Sequence, residues 1–442
     1  MPSPLTRRQA LTAGALGIGA VAAAPVLAAC GGNPAASGAV NFEGWDYQST
    51  IVAANVKRFT KLNSSIKVNY TPITSAQYVQ KLVAQYTGGS QPDALYVYDD
   101  SLAGWVDAGY LQPIDGMDGV DKVYSGLYPS NAAAMTYKGK KYGLPYYTDC
   151  QALIYNADIL RKAGISAPPK SLPELEQQCL KIRKAGIIQH PFGLSAQLSD
   201  TWWAWVWGLY YASGAKVFDD NLQPVMATSD PVVRNVLDWI RGAAQQSKVL
   251  DTAALQLAAV PFDNAFMSGQ YAFTIGARYA ARQYNDKTQS KVAGNVKIAM
   301  LPSVDGKTQG TVSNTRMYGL SAKTKHKDDA FKLISYLGGL DKSGDPYTAK
   351  LWLQKEGLGF AFKSMAADPK SQQTLREFVD PTIYNELASV AKPRNVIAAP
   401  WYTEYETSQQ KVIQQLITGQ TSGSAGAKSL AATAARLKKK YS

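Results

Sequence analysis

Histidine and cysteine are nearly missing from this chain. Two histidines and three cysteines occur in 442 residues. His190 sits in a loop before Pro191, and His326 stands between lysines, with no cysteine beside either. Metal sites built from His and Cys, and histidine-centred acid–base pairs, therefore lack their parts. Neither a Walker-type phosphate loop nor a Gly-x-Gly-x-x-Gly fingerprint is present, which removes two large nucleotide-binding classes. After Cys30 no run of 18 apolar residues occurs, so nothing beyond it reads as a membrane span. Acidic residues are also in short supply, 33 against 46 basic, leaving a formal charge of +13. The basic residues are scattered apart from Lys138, Lys140 and Lys141 and the terminal Arg436, Lys438, Lys439 and Lys440. A solvated surface near an anionic envelope accounts for them, and no nucleic-acid partner is expected. No cofactor and no metal is expected either.

What is present begins with a leader. Arg7-Arg8 is followed by an uncharged, Ala- and Gly-rich run over residues 10–27 and then by Leu27-Ala28-Ala29-Cys30. A basic start, an apolar middle and small residues before a cut describe an export signal over residues 1–29. Leu27-Ala28-Ala29-Cys30 resembles the lipobox of bacterial lipoproteins, which implies lipidation of Cys30. The segment around Arg7-Arg8 resembles a twin-arginine signal, with the general secretion route as the alternative. Residues 30–38, rich in Gly and Ala, read as a flexible tether. The expected location is outside the cytoplasmic membrane, lipid-anchored. In that oxidising setting Cys150 and Cys179 are expected to form a disulfide, contributing on the order of 3–4 kcal/mol. Two buried free thiols are the alternative.

The remaining chain, with 46% hydrophobic and 18% charged residues, has an ordinary globular balance. Its periodicity alternates between strand and helix. Val40 and Phe42 open a strand, and Val52, Val56 and Phe59 mark a helical face. Ile66, Val68 and Tyr70 alternate, Tyr78, Leu82 and Tyr86 are helical again, and residues 94–98 form an apolar strand. Further helices are predicted over 172–185, after Asp200, over 231–244, 328–337 and 403–417, and strands over 152–155, 271–275 and 296–300. This order predicts an α/β fold with a mainly parallel sheet flanked by helices. Ligands of such sheets meet the carboxyl ends of strands.

Several motifs then coincide. Tyr142-Gly143-Leu144-Pro145 precedes Tyr155-Asn156-Ala157-Asp158-Ile159-Leu160, and Pro92-Asp93-Ala94-Leu95 precedes Gly109-Tyr110-Leu111-Gln112-Pro113-Ile114. Residues 266–275, residues 325–331 and Gly419-Gln420 follow in order. Together they resemble the extracellular solute-binding proteins of ATP-driven sugar importers, the maltose-binding-protein-like family. That resemblance implies a two-lobed periplasmic-binding fold with a hinge, no catalysis, an ABC permease as partner and a monomeric state. It places residues 39–148 and 313–365 in one lobe and 149–312 and 366–442 in the other.

A sugar offers apolar C–H faces and a rim of hydroxyls, so flat aromatic rings plus carboxylates and amides suit it. Nine Trp and 26 Tyr supply the rings. The candidates are Trp45, Asp46 and Tyr47 after the first strand and Tyr98, Asp99 and Asp100 after the third. Tyr147 and Asp149 lie before Tyr155, and Trp202 or Trp203 in a Trp-rich segment. By the resemblance, Tyr279 and Trp401 are stacking aromatics. Arg278 and Arg316 could form forked hydrogen bonds. The expected ligand is a mono- or oligosaccharide or polyol. An anionic, phosphorylated or sulfonated sugar is the alternative, because Arg278, Arg282 and Arg316 could cluster. A lipid-anchored glycoside hydrolase using two carboxylates is the more distant one.

Overall fold

The alternating apolar residues of the opening segment do form a strand, and the chain returns to it twice. The computed structural model describes residues 38–198, 203–228 and 230–441. The export leader, Cys30, Asp200 and Trp202 lie outside the described residues. Ten strands are described: β1 (Ala39–Trp45), β2 (Lys67–Ile73), β3 (Ala94–Tyr98), β4 (Thr136–Tyr137), β5 (Lys140–Lys141), β6 (Gly143–Asn156), β7 (Phe273–Ala277), β8 (Val296–Ala299), β9 (Thr311–Leu320) and β10 (Ala391–Lys392). The main sheet runs β2-β1-β3-β9-β6-β7, with β8 beside β6 and β10 beside β9.

β1 pairs in parallel with both β2 and β3, joined by the amphipathic helices Ser49–Leu62 and Ser75–Gly88. Parallel neighbours need such crossovers. Beyond β3 the direction changes. β9 runs antiparallel to β3 and to β6, and β6 runs antiparallel to β7 and β8. The sheet is therefore mixed, and the expectation of a mainly parallel one holds for β2-β1-β3 and for the short β10 beside β9. The cause is the path of two long strands. β6 has 14 residues and β9 has ten, and both are almost wholly buried. At roughly 3.3 Å per residue β6 spans about 45 Å. Its first half pairs with β9 as far as Cys150 opposite Ser313, and its second half pairs with β7 and β8.

Two apolar cores result. The first gathers Val40, Phe42, Val97, Leu144, Leu333 and Trp352. The second gathers Leu153, Leu175, Trp207, Leu237, Ile413 and Leu430. The helices that build them carry the expected start signals. Ser171 caps Leu172–Lys184 by accepting from the Glu174 N–H, while the Glu174 carboxylate reaches back to the Lys170 N–H. Asp230 caps Pro231–Gln245 through the Val232 N–H, with Pro231 in the first turn.

Residues 422–426, a low-complexity stretch by composition, instead begin the helix Gly423–Tyr441. A Cβ on Gly423 would stand 2.4 Å from Asp238 Oδ1, and one on Gly426 2.9 Å from Val412 Cγ1. The glycines are there for close helix approach. The expected disulfide is not formed. Cys150 lies on β6 in the first core and Cys179 on Leu172–Lys184 in the second, each a buried free thiol. Burial pushes the Cys150 thiol up to about 12, so it stays protonated and inert.

Candidate functional site

The ends of β1 and β3 lie side by side, because these strands are parallel neighbours. Trp45 and Tyr98 close them, and their rings stack with centroids 4.5 Å apart and planes 14° from parallel. Asp99 follows, buried. Its carboxylate accepts from the Thr315 N–H at 2.7 Å and from Arg316 Nη1 at 2.6 Å. Burial raises its pKa, and the Arg316 guanidinium opposes that shift. Arg316 itself lies 4.7 Å over the Tyr98 ring. Asp100 is only half-buried, with the Ser101 hydroxyl donating to its carboxylate at 3.3 Å. Asp46 is exposed and accepts from the Ser75 N–H at the start of the helix Ser75–Gly88. Tyr47 is half-buried and donates to Glu356 Oε2 at 3.2 Å.

A second ion pair sits where β6 leaves β9. Asp149 accepts from Arg278 Nε at 2.7 Å, from the Cys150 N–H at 2.7 Å and from the Tyr279 N–H at 3.1 Å. Arg278 Nη1 donates to the Tyr384 carbonyl at 2.6 Å, and the guanidinium lies 3.9 Å over the Tyr384 ring. Tyr279, next along, has its phenol pushed up by burial first and then by Tyr147 and Tyr47. Tyr147 belongs to the first core, and Tyr47 and Tyr279 pack against it.

The third part was not singled out from sequence. Arg394, 3% exposed, follows β10 and donates from Nη2 to Asn314 Oδ1 at 3.0 Å. Its guanidinium is 5.6 Å from the Tyr402 ring. Glu406, one turn beyond Tyr402 on the helix Tyr402–Ile417, accepts from Trp207 Nε1 at 3.1 Å, Tyr402 Oη at 3.3 Å and Gln409 Nε2 at 3.2 Å. Burial raises the Glu406 pKa while Arg394 opposes it, and Asp100 also acts on it. Asn314 and Arg316 stand two residues apart on β9, so one strand holds both Arg394 and Asp99.

Two sequence candidates turn away from this space. Trp203 is buried in the second core, its indole N–H donating to the Gln197 carbonyl at 3.3 Å. Trp401 packs on Phe218 and Tyr405 with centroids 5.7 and 6.2 Å away. Their neighbours Trp207 and Tyr402 meet the polar cluster instead. The available signal was the helical spacing of Tyr402 and Glu406, four residues apart on one face. Among the described residues no group of three His, Cys, Asp or Glu could hold a metal ion, and no helix is long and apolar enough to cross a membrane.

Residues 44–341 match the model of the bacterial extracellular solute-binding protein family. The chain belongs to that family. A binding protein of Brucella abortus is 23% identical over 286 residues, which is 64% of this chain and 66% of that protein, just under two thirds of its length. The mannitol-binding protein of Pseudomonas aeruginosa is 25% identical over 257 residues, 56% of each. The solved structure of maltose-bound MalE3 from T. maritima superposes with a TM-score of 0.75 at 21% identity, covering 90% of this chain and 99% of that one. The fold is thus the two-lobed α/β architecture of these binding proteins.

Proposed function

We infer that this protein is the receptor of an ABC importer and captures a carbohydrate or polyol between its two cores. One observation carries the reading. Stacked Trp45 and Tyr98 end two strands beside the Asp99–Arg316 pair, Arg394 holds Asn314 two residues from Arg316 on β9, and Asp99 and Asp100 act on the Arg394 and Tyr402 groups. Rings suit the C–H faces of a sugar, and each hydrogen bond to a charged edge is worth roughly 1.5–3 kcal/mol. Two or three such bonds with one or two stacks reach micromolar affinity, about −8 kcal/mol. The names of the relatives, mannitol- and maltose-binding, agree with this chemistry.

In this reading one lobe is formed by residues 39–148 with 313–365 and the other by residues 149–312 with 366–442, and the long strands β6 and β9 would serve as the hinge. Closure follows binding by as much as the ligand prefers the closed form. A monomer tethered by lipid on Cys30 outside the membrane hands the ligand to the permease. The arginines invoked for an anionic ligand favour a neutral one once their partners are seen. Arg278 pairs with Asp149, Arg316 with Asp99, and Arg282 stands 3.8 Å from Glu377. A hydrolytic role for Asp149 is disfavoured for a related reason, since both of its oxygens accept from N–H donors, one of them the buried Arg278. Calorimetric titration with sugars and polyols tests the reading. Stoichiometric binding without product is expected, and accumulation of shorter sugars would overturn it.

A further inference from the structure

Arg394 differs from the other buried guanidiniums at this site. Arg278 and Arg316 each hold a carboxylate within 2.7 Å. Arg394 has the Asn314 amide oxygen on Nη2, while its Nε and Nη1 are buried without an acceptor in the protein. Leaving a buried charged donor unmade is costly, so such a group calls for an acceptor from outside. The kind of acceptor follows from the surroundings. Asp99, Asp100 and Glu406 all act on the Arg394 charge. Across the whole site four carboxylates (Asp99, Asp100, Asp149, Glu406) face three guanidiniums (Arg278, Arg316, Arg394). Two of those guanidiniums are already paired with carboxylates, so an anion would meet Asp100 and Glu406 beside the one guanidinium left open. A hydroxyl adds no charge, accepts from the guanidinium and gives its own proton to a carboxylate.

We propose that Arg394, together with Glu406 and Asp100, is the specificity-determining edge of the cleft and reads a neutral vicinal diol. One hydroxyl oxygen accepts from Nε or Nη1, and the adjacent hydroxyl donates to a carboxylate. This rests on the receptor reading above and narrows its ligand to uncharged polyols and sugars with neighbouring free hydroxyls.

The test is calorimetric titration of the full chain and of R394M and R394K with D-mannitol, maltose and sn-glycerol 3-phosphate, alongside thermal unfolding without ligand. The intact protein is expected to bind a neutral probe at least tenfold more tightly than the phosphate. R394M should weaken that neutral probe by about 10- to 100-fold, the range one to two such hydrogen bonds represent. R394K should fall between, because an ammonium keeps the charge but loses the fork. If R394M does not fold, R394K carries the test with an expected loss of fivefold or more. A change of less than twofold in the folded variants overturns the role of Arg394 and leaves the receptor reading standing. Tighter binding of the phosphate than of either neutral probe overturns the neutral diol. Failure of the intact protein to bind any neutral sugar or polyol removes the receptor reading and this one with it.

Discussion

Arg278 and Arg394 are buried to 2% and 3% exposure, and each lies against a tyrosine ring, yet their surroundings have opposite character. Around Arg278 the protein supplies what a guanidinium needs: the Asp149 carboxylate, the Tyr384 carbonyl and a ring face. Around Arg394 it supplies one amide oxygen. The difference separates a charge whose donors are satisfied within the protein from one with Nε and Nη1 unmatched, the group proposed to read the ligand. It also shows why counting arginines is a poor guide to ligand charge, since a guanidinium already holding a carboxylate has little left to offer an anion.

The comparison breaks most visibly at Asp149. Replacing it with Ala leaves Arg278 charged and buried, and removes the acceptor of the Cys150 and Tyr279 N–H groups. Orphaning one partner of a buried pair typically costs 3–5 kcal/mol. D149A should therefore lower the urea unfolding free energy by about that amount, and D149A/R278M should recover part of it. A loss below about 1 kcal/mol in D149A would mean that this pair is no more finished than Arg394.

The pair Trp401 and Tyr402 sharpens the same distinction one residue apart. Trp401 fills the second core, so W401A should cost about 3–5 kcal/mol of stability. Affinity per folded molecule should stay within twofold. Tyr402 lends its hydroxyl to Glu406. Y402F should cost no more than about 1.5 kcal/mol in unfolding while measurably weakening ligand titration. An affinity loss in W401A matching that of Y402F would place the indole in the cleft after all.

That one-residue offset shows where sequence reasoning reached and where it stopped. Elements with local causes were legible. The capped helices Leu172–Lys184 and Pro231–Gln245 and the opening β-α-β-α-β run follow from periodicity and cap residues within a few positions. β9 was not legible as a strand, because Thr311 to Arg316 reads by composition as a polar loop. Its polar groups are satisfied only by distant chain: Thr311 Oγ1 donates to the Gln151 carbonyl, and Asn131 donates to Thr315 Oγ1. At the site, Asp149 stood out as a charge in an apolar approach to a strand, which demanded a partner, and Asp99 by its place after the third strand. Their partners, Arg278 and Arg316, lie 129 and 217 residues away and are visible only in the fold. On a helix adjacent side chains diverge by about 100°, so a stacking aromatic assigned one position early lands in the core.

Glu43 offers a buried charge that is unfinished but outside this cluster. One oxygen accepts from Gln85 Nε2 at 2.9 Å and the other has no partner. Burial raises its pKa above the usual 4.5, only partly offset by Gln85 and Lys81. The folded protein then holds this proton more tightly than the unfolded chain. Stability falls as pH rises from about 4.5 through the raised value, and stays lower above it. E43Q should add on the order of 1 kcal/mol at pH 7–8, flatten that slope and leave ligand affinity unchanged. A loss of affinity would mean that incomplete pairing does not distinguish ligand-facing groups from the rest.

The smallest expected effect concerns the two thiols. Cys150 belongs to the first core and Cys179 to the second, in elements that make no bridge. A disulfide between them would tie β6 to the helix Leu172–Lys184 and restrict the unfolded chain by about 3–4 kcal/mol. Adding reductant should thus leave the urea midpoint unmoved. A drop of that size would show the cores linked covalently, and would require β6 to shift by the distance that now separates a strand of one core from a helix of the other.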